Sequence, residues 1–269
     1  YKLKCHVFST IGSHGSLTVE QALMNSCNPY MIHLALEMGN SRFAYYQSLF
    51  GFGKITGIDL PGETTGIVYG DRMTTIDAAC NSFGQTINVN MMQMMAAYCS
   101  IINGGMLYQP HIVKRIESAN GEVVKEYKAN LVRQTITAST SKLLRRYLKN
   151  TVEEGTAKKA GVTGYSVAGK TGTAQKGDRK DNKWIISFIG HAPAENPKFA
   201  IYVVIDEPYG TTGTSGSSAD VLTLTHNILE KLLPYMNVYK DASDEYEDTS
   251  SSPDELTVDG IPAGTASSN

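Results

Sequence analysis

Twelve residues, Gly164 to Gln175, read Gly-Tyr-Ser-Val-Ala-Gly-Lys-Thr-Gly-Thr-Ala-Gln, and two chemistries compete for them. The first eight satisfy the phosphate-loop spacing G-x-x-x-x-G-K-[ST], in which backbone N–H groups and a lysine cradle phosphates. Such a loop has to run straight into a helix, because the helix N-terminus completes the anion site. After Thr171 the chain continues Gly-Thr-Ala-Gln-Lys-Gly-Asp-Arg-Lys-Asp, with two glycines, a cluster of charges and no apolar period of 3.6. No helix begins there. Ala200 to Asp206 imitates the hydrophobic strand and Mg²⁺-binding aspartate of a nucleotidase, but without the helix the nucleotide reading is rejected. The other chemistry uses Lys170, Thr171, Gly172 and Thr173 on an extended strand, and it needs polar partners from elsewhere. Ser26 and Asn28 are the candidates, two polar residues at a junction between predicted helices where apolar turns surround them.

The elements that must position these residues come as helices first and a sheet afterwards. Thr18-x-x-Gln21 is a capping box opening a helix over Val19 to Asn25. Asn28-Pro29 predicts an N-cap and first-turn proline for a second helix ending near Gly39. Asn90 opens a nearly all-apolar helix to Ile102, expected to be buried on most sides, with its methionines filling core. Ile112 to Glu117 and Glu122 to Tyr127 flank Asn120-Gly121, which predicts a β-hairpin with a type I′ turn. Ser141 to Glu153 is helical. Three strands are expected over Tyr165 to Gln175, Lys183 to His191 and Lys198 to Glu207, then an amphipathic helix over Ala219 to Leu233. The loop Tyr209 to Ser218 between them is rich in Gly, Ser and Thr. The order predicts an α+β fold, a helical region joined to an antiparallel sheet flanked by helices.

The 269 residues are 41% hydrophobic, enough for a sizeable core. No run of about 18 apolar residues occurs, so no segment of this sequence reads as a membrane span. Net charge is −2, yet residues 240–269 hold eight acidic residues and one lysine, leaving 23 basic and 18 acidic on the body. The body is expected to comprise residues 1–238, and 239–269 to be an acidic, Ser/Thr-rich disordered tail or linker. The surplus of +5 could favour an anionic wall polymer or membrane face, but spread over 239 residues it reads as unremarkable, and no nucleic-acid partner is expected. Cys5, Cys27, Cys80 and Cys99 fit no metal-ligand spacing and no dense disulfide framework; Cys80 and Cys99 read as small core residues. No metal and no cofactor is implied. His33 reads as packed, and Lys158-Lys159 and Arg145-Arg146 as solvated helix-end charges.

Ser26-Cys27-Asn28 followed well downstream by Lys170-Thr171-Gly172-Thr173 resembles the second and third signatures of the penicillin-recognising serine acyl-transferases. The chain is similar to the transpeptidase domain of class B penicillin-binding proteins, most closely the septal and sporulation type. His14-Gly15, Thr56-Gly57-Ile58-Asp59-Leu60-Pro61-Gly62-Glu63, Phe83-Gly84-Gln85, Asn103-Gly104-Gly105 and Gly155-Thr156-Ala157 look like that family in the family's order. The resemblance implies the penicillin-binding/β-lactamase-like fold and a two-step acyl transfer. In it a serine attacks the D-Ala-D-Ala stem peptide of a wall precursor, and an amine of a neighbouring peptide takes the acyl group. β-Lactams would acylate the same serine.

Under that resemblance Ser26 relays the leaving-group proton, since general acid–base chemistry needs a group within hydrogen-bond reach. Asn28 orients the catalytic lysine and donates to the substrate's peptide carbonyl. Lys170 favours the substrate carboxylate and polarises Ser26. Thr171 and Thr173 offer hydroxyls to that carboxylate, and Gly172 lets the substrate backbone lie flat on the strand. The N–H of Thr173 is an expected oxyanion donor, an element worth roughly 10²–10³ in rate. Peptidoglycan stem peptides or the lipid-linked precursor, β-lactams, and divisome or sporulation membrane partners are the implied partners. An extracytoplasmic site on a membrane-anchored protein is the implied location.

One departure matters. The family's nucleophile sits in a Ser-x-x-Lys upstream of Ser-x-Asn, and nothing from Tyr1 to Asn25 fits it. It is expected before Tyr1, with part of the sheet, so the edge beside Lys198 to Glu207 is expected to be unpaired and residues 1–269 to fold poorly alone. Ser139-Thr140-Ser141-Lys142 has the letters, but a Ser/Thr-rich helix start explains it. Glu126-x-x-x-Asn130 mimics a deacylating Glu-x-x-x-Asn, yet it falls on the hairpin, which argues for a penicillin target rather than a penicillinase. A non-catalytic β-lactam-sensing or scaffold module of the same fold is the alternative.

Overall fold

The structure, a computed structural model, describes Cys5 and residues 12–178, 181–208 and 217–242. Its helices are α1 (Val19–Met24), α2 (Asn28–Met38), α3 (Asn40–Leu49), α4 (Thr75–Asn81), α5 (Met91–Ile102), α6 (Ala138–Glu153) and α7 (Ala219–Tyr235). Its strands are β1 (Met106–Tyr108), β2 (Arg115–Glu117), β3 (Val123–Glu126), β4 (Leu131–Gln134), β5 (Ala168–Lys176), β6 (Lys183–Ala192) and β7 (Phe199–Asp206). The fold is α+β, as the order of elements predicts. β5, β6 and β7 form one antiparallel sheet in sequence order, while β1–β4 and β2–β3 are separate two-stranded ladders. Among the described residues β7 has no partner on its outer side.

Period-2 alternation along the sheet assigns its two faces. Ile186 and Phe188 are fully buried in a core with Val221, Leu222, Leu229 and Leu233 of α7. Ala168 and Ile189 pack on Tyr98 and Ile102 of α5 and Leu148 of α6. A second set of buried contacts is polar. His191 is fully buried, its Nδ1 2.8 Å from the Tyr98 hydroxyl and its Nε2 3.0 Å from the Ala194 carbonyl. That carbonyl can only accept, so Nε2 carries the proton and Nδ1 accepts from Tyr98. Burial pushes His191 down to about 4, so it is neutral at physiological pH.

Several local expectations are corrected. Asn28 is not an N-cap: Cys27 occupies that position without a side-chain bond, and Asn28 and Pro29 are the first two helical residues. The hairpin turn is not type I′, because Gly121 has φ +84° while Asn120 is not left-handed. Three residues instead bridge Ser118 and Glu122, whose N–H and C=O pair at 2.9 Å, a turn closed by one left-handed glycine. The methionines of α5 fill core only in part: Met91 is half exposed, Met92, Met94 and Met95 are half-buried, and the residues the helix buries fully are Gln93, Ala97, Tyr98, Ser100 and Ile102. Cys80 and Cys99 are only half-buried, and the buried cysteine is Cys27. His33 is solvent-facing beside Glu37 at 3.2 Å. Arg145 is no helix-end charge; from mid-α6 it donates to the Ile102 carbonyl at 2.9 Å.

The ordered landmarks have local reasons. Glu63 closes the Thr56–Glu63 loop by accepting from the Thr56 N–H and hydroxyl and the Gly57 N–H. Asp59 of the same loop accepts the N–H groups of Ile112 and Val113, anchoring the hairpin. At Gly105, φ is +98° and a Cβ would sit 1.9 Å from the Ile136 carbonyl, so only glycine lets α5 turn into β1 there. The predicted loop at 209–218 and the acidic tail lie mostly outside the described residues. The chain is last described at Ala242.

Candidate active site

Lys170 and Thr171 lie inside β5, and no helix succeeds them, so the phosphate-loop spacing is coincidental. Among the described residues β5 pairs only with β6, in the register Lys170↔Ile189, Thr171↔Phe188, Gly172↔Ser187 and Thr173↔Ile186. An edge strand directs alternate N–H and C=O groups away from its neighbour. The outer edge of β5 therefore carries backbone donors and acceptors already aligned along it.

Ser26 reaches that edge because of how α1 ends. Its φ is +52°, a left-handed conformation usually reserved for glycine. The Ser26 N–H bonds the Leu23 carbonyl at 3.2 Å and the Cys27 N–H bonds the Ala22 carbonyl at 2.9 Å. These two bonds define a Schellman C-cap, with Ser26 where glycine normally sits and buried Cys27 against buried Ala22. A serine held left-handed at a helix end is a constrained residue of the kind found at functional positions.

Lys170 closes the arrangement from the other side. Its ammonium donates to Ser26 Oγ at 2.6 Å, to the Thr171 carbonyl at 3.1 Å and lies 3.3 Å from Thr171 Oγ1. All three of its protons thus have acceptors. Removal from water pushes Lys170 down from 10.5 to about 8. At pH 7 roughly a tenth of it is neutral, and the remainder is a partly desolvated cation. Because Ser26 Oγ accepts from that cation, its own proton stays available for donation.

The other predicted site residues are less tightly gathered. Asn28 is half-buried at the start of α2, joined to Ser26 by chain continuity and not by a side-chain bond to Ser26 or Lys170. Thr173 is exposed on β5. At Gly172 a Cβ would stand 2.6 Å from Ser187 Oγ, a hydroxyl that can rotate away, so the neighbouring strand crowds a side chain there without forbidding one. The Ser139–Lys142 decoy is structural: Ser141 Oγ donates to the Ile101 carbonyl at 2.6 Å, tying α6 to α5. Glu126 is exposed at the end of β3, and Asn130 donates to Gln109 at 2.8 Å.

Three supports escaped the sequence reading. Thr156 donates its N–H to the Met24 carbonyl at 3.2 Å, bracing the turn that carries Ser26, and its Oγ1 is 3.4 Å from Thr171 Oγ1. Asp241 accepts from the Ser166 N–H at 2.7 Å and from the Ser166 hydroxyl, just before β5. Cys5, His14 and Cys27, the last of them next to Ser26 and Asn28 in the chain, place one potential ligand atom each within 4.8 Å of one another. The Gly155-Thr156-Ala157 pattern pointed to the first; the other two are distant in sequence and carried no local signal.

Comparison with known proteins gives one answer. Residues 7–230 match the penicillin binding protein transpeptidase domain. The chain is 40% identical over 232 residues to stage V sporulation protein D of Bacillus subtilis, covering 84% of this chain and 36% of that protein. It is 32% identical over 248 residues to the peptidoglycan D,D-transpeptidase FtsI of Escherichia coli K12, covering 90% of this chain and 40% of that one. Penicillin binding protein 3 of Mycobacterium tuberculosis complexed with ampicillin superposes with a TM-score of 0.76 at 30% identity, over 85% of this chain and 53% of that chain. This chain therefore spans well under half the length of the curated relatives it matches.

Proposed function

The chain belongs to the penicillin-binding protein transpeptidase family, and on that footing we propose that it serves peptidoglycan cross-linking by serine acyl transfer. The observation that carries the reading is the 2.6 Å contact between Lys170 and a left-handed Ser26 on the free edge of β5. The donor is a stem peptide ending in D-Ala-D-Ala. A serine of the Ser-x-x-Lys sequence expected upstream of Tyr1 attacks the penultimate D-Ala carbonyl. The C–N bond to the terminal D-Ala breaks, and the departing nitrogen takes a proton through Ser26. An amine of a neighbouring peptide then displaces the serine, regenerating its hydroxyl.

Each residue of this chain has a role in that sequence. Lys170 supplies the desolvated cation that attracts the substrate carboxylate and sharpens the acidity of the Ser26 hydroxyl. Thr171 and Thr173 hold the carboxylate, Gly172 keeps the edge flat, and the Thr173 N–H receives charge as the carbonyl oxygen becomes an oxyanion. Asn28 orients the peptide and the upstream lysine. β-Lactams acylate the same serine, a membrane-anchored extracytoplasmic enzyme is the working form, and divisome or sporulation proteins are its partners.

Intact mass after exposure to penicillin tests this. The full-length protein should gain one adduct, and residues 1–269 none. A folded full-length protein that forms no adduct refutes the acyl-transfer reading and leaves a scaffold.

A further inference from the structure

We propose that Thr156, on the segment between α6 and β5, is a third hydroxyl of the pocket that takes the substrate's terminal carboxylate and so sets selectivity for the free acid. The assignment rests on the transpeptidase reading and adds to it a residue outside both signatures.

Three observations converge on an anion at this point. Among the described residues Lys170 forms no ion pair; its partners are a serine hydroxyl, a backbone carbonyl and the Thr171 hydroxyl. A desolvated cation whose neighbours are neutral is short of one negative charge. Thr171 Oγ1 lies between Lys170 Nζ at 3.3 Å and Thr156 Oγ1 at 3.4 Å. Hydroxyl pairs committed to one another close to about 2.7–2.8 Å. At 3.4 Å the two threonines keep room for a shared acceptor, and each hydroxyl can donate to one carboxylate oxygen. Thr156 is exposed, so a ligand on the β5 edge can reach it.

The backbone holds this exposed side chain in place. The Thr156 N–H bonds the Met24 carbonyl, and the Ala157 N–H bonds the Thr151 carbonyl at 3.0 Å. Gly155 makes this possible: a Cβ there would lie 2.9 Å from the Met24 carbonyl and from the Thr151 backbone. The hydroxyl is thus presented by a braced turn rather than by a loose loop. Changing the side chain leaves both backbone bonds intact, which separates recognition from architecture.

The test uses the full-length protein, with benzylpenicillin and its methyl ester as probes. Thr156→Val keeps the side-chain shape and removes the hydroxyl. For the free acid, the concentration giving half-maximal acylation rate should rise roughly ten-fold, with the maximal rate within about two-fold of wild type. For the ester, which has no anion to lose, Thr156→Val should match wild type within about two-fold, and Thr156→Ser should restore acid binding. Equal acylation of the acid by wild type and Thr156→Val overturns the assignment, as does an equal loss for acid and ester. If wild type is acylated by neither probe, the transpeptidase reading has failed and the Thr156 assignment goes with it.

Discussion

Replacing Ser26 by glycine and by alanine isolates the energy stored in its left-handed backbone. Both substitutions delete the same hydroxyl and the same 2.6 Å bond from Lys170, so that loss cancels in their difference. What remains is the cost of a Cβ at φ +52° against the greater unfolded-state freedom of glycine. The first is about 1–2 kcal/mol against alanine. The second is about 0.4–1 kcal/mol against glycine. Ser26→Gly should therefore be the more stable variant by roughly 0.5–1 kcal/mol, or about 1–4 °C in midpoint for a domain of this size. At an ordinary position the order reverses, with alanine ahead by about 0.5–1 kcal/mol. Urea midpoints with unchanged slope measure the difference in the full-length protein. Both variants should be slow in acylation, which would make Ser26→Gly a stable but impaired protein. If Ser26→Ala equals or exceeds Ser26→Gly in stability, the Schellman account of this turn is wrong.

The same contacts lead to further outcomes. Lys170 binds its proton more weakly folded (about 8) than unfolded (10.5), so its destabilising effect is complete below pH 8 and is relieved as pH climbs to 10.5. Wild-type stability should rise across that window relative to Lys170→Met, and a flat difference plot would remove burial as the cause. Gly155→Ala should cost about 1–3 kcal/mol by overpacking the Met24 carbonyl and should slow acylation by displacing Ser26. A melting temperature and acylation rate both unchanged would show that the turn has slack. Asp241→Ala should cost about 1–3 kcal/mol, because it strands the N–H of buried Ser166. Equal melting temperatures for Asp241→Ala and wild type would show that water replaces the carboxylate.

Capping chemistry made much of this fold legible. Thr18-Gln21 and Asn90-Gln93 announced α1 and α5, and both form complete capping boxes. Thr74-x-x-Asp77 offered the same signal for α4 and could have been read. α3 begins at Asn40 directly after Gly39 with little amphipathic pattern, and so carried no comparable mark. β1 and β4 are three and four residues long and pair across α5's exit, which no local window contains. In the site, residue types on β5 identified the chemistry, but the left-handed state of Ser26 was hidden. Its sequence has serine where a C-cap would advertise glycine, and only the tertiary bonds from Lys170 and through Thr156 explain why that is tolerated.

Asp241 gives the chain's exit a mechanical character. The N–H groups of Asp241 and Ala242 both bond the Gly164 carbonyl, at 3.0 and 3.2 Å, while the Asp241 carboxylate grips Ser166. Tension on the polypeptide beyond Ala242 is therefore borne first by the root of β5 and not by α7. Ser166 itself stands four residues before Lys170, at the foot of a stiff, paired strand. Those bonds carry the load together in one cluster, so they yield as a set rather than unzipping one at a time. Whatever pulls on residues 243–269 pulls on the strand that carries Lys170, Thr171 and Thr173.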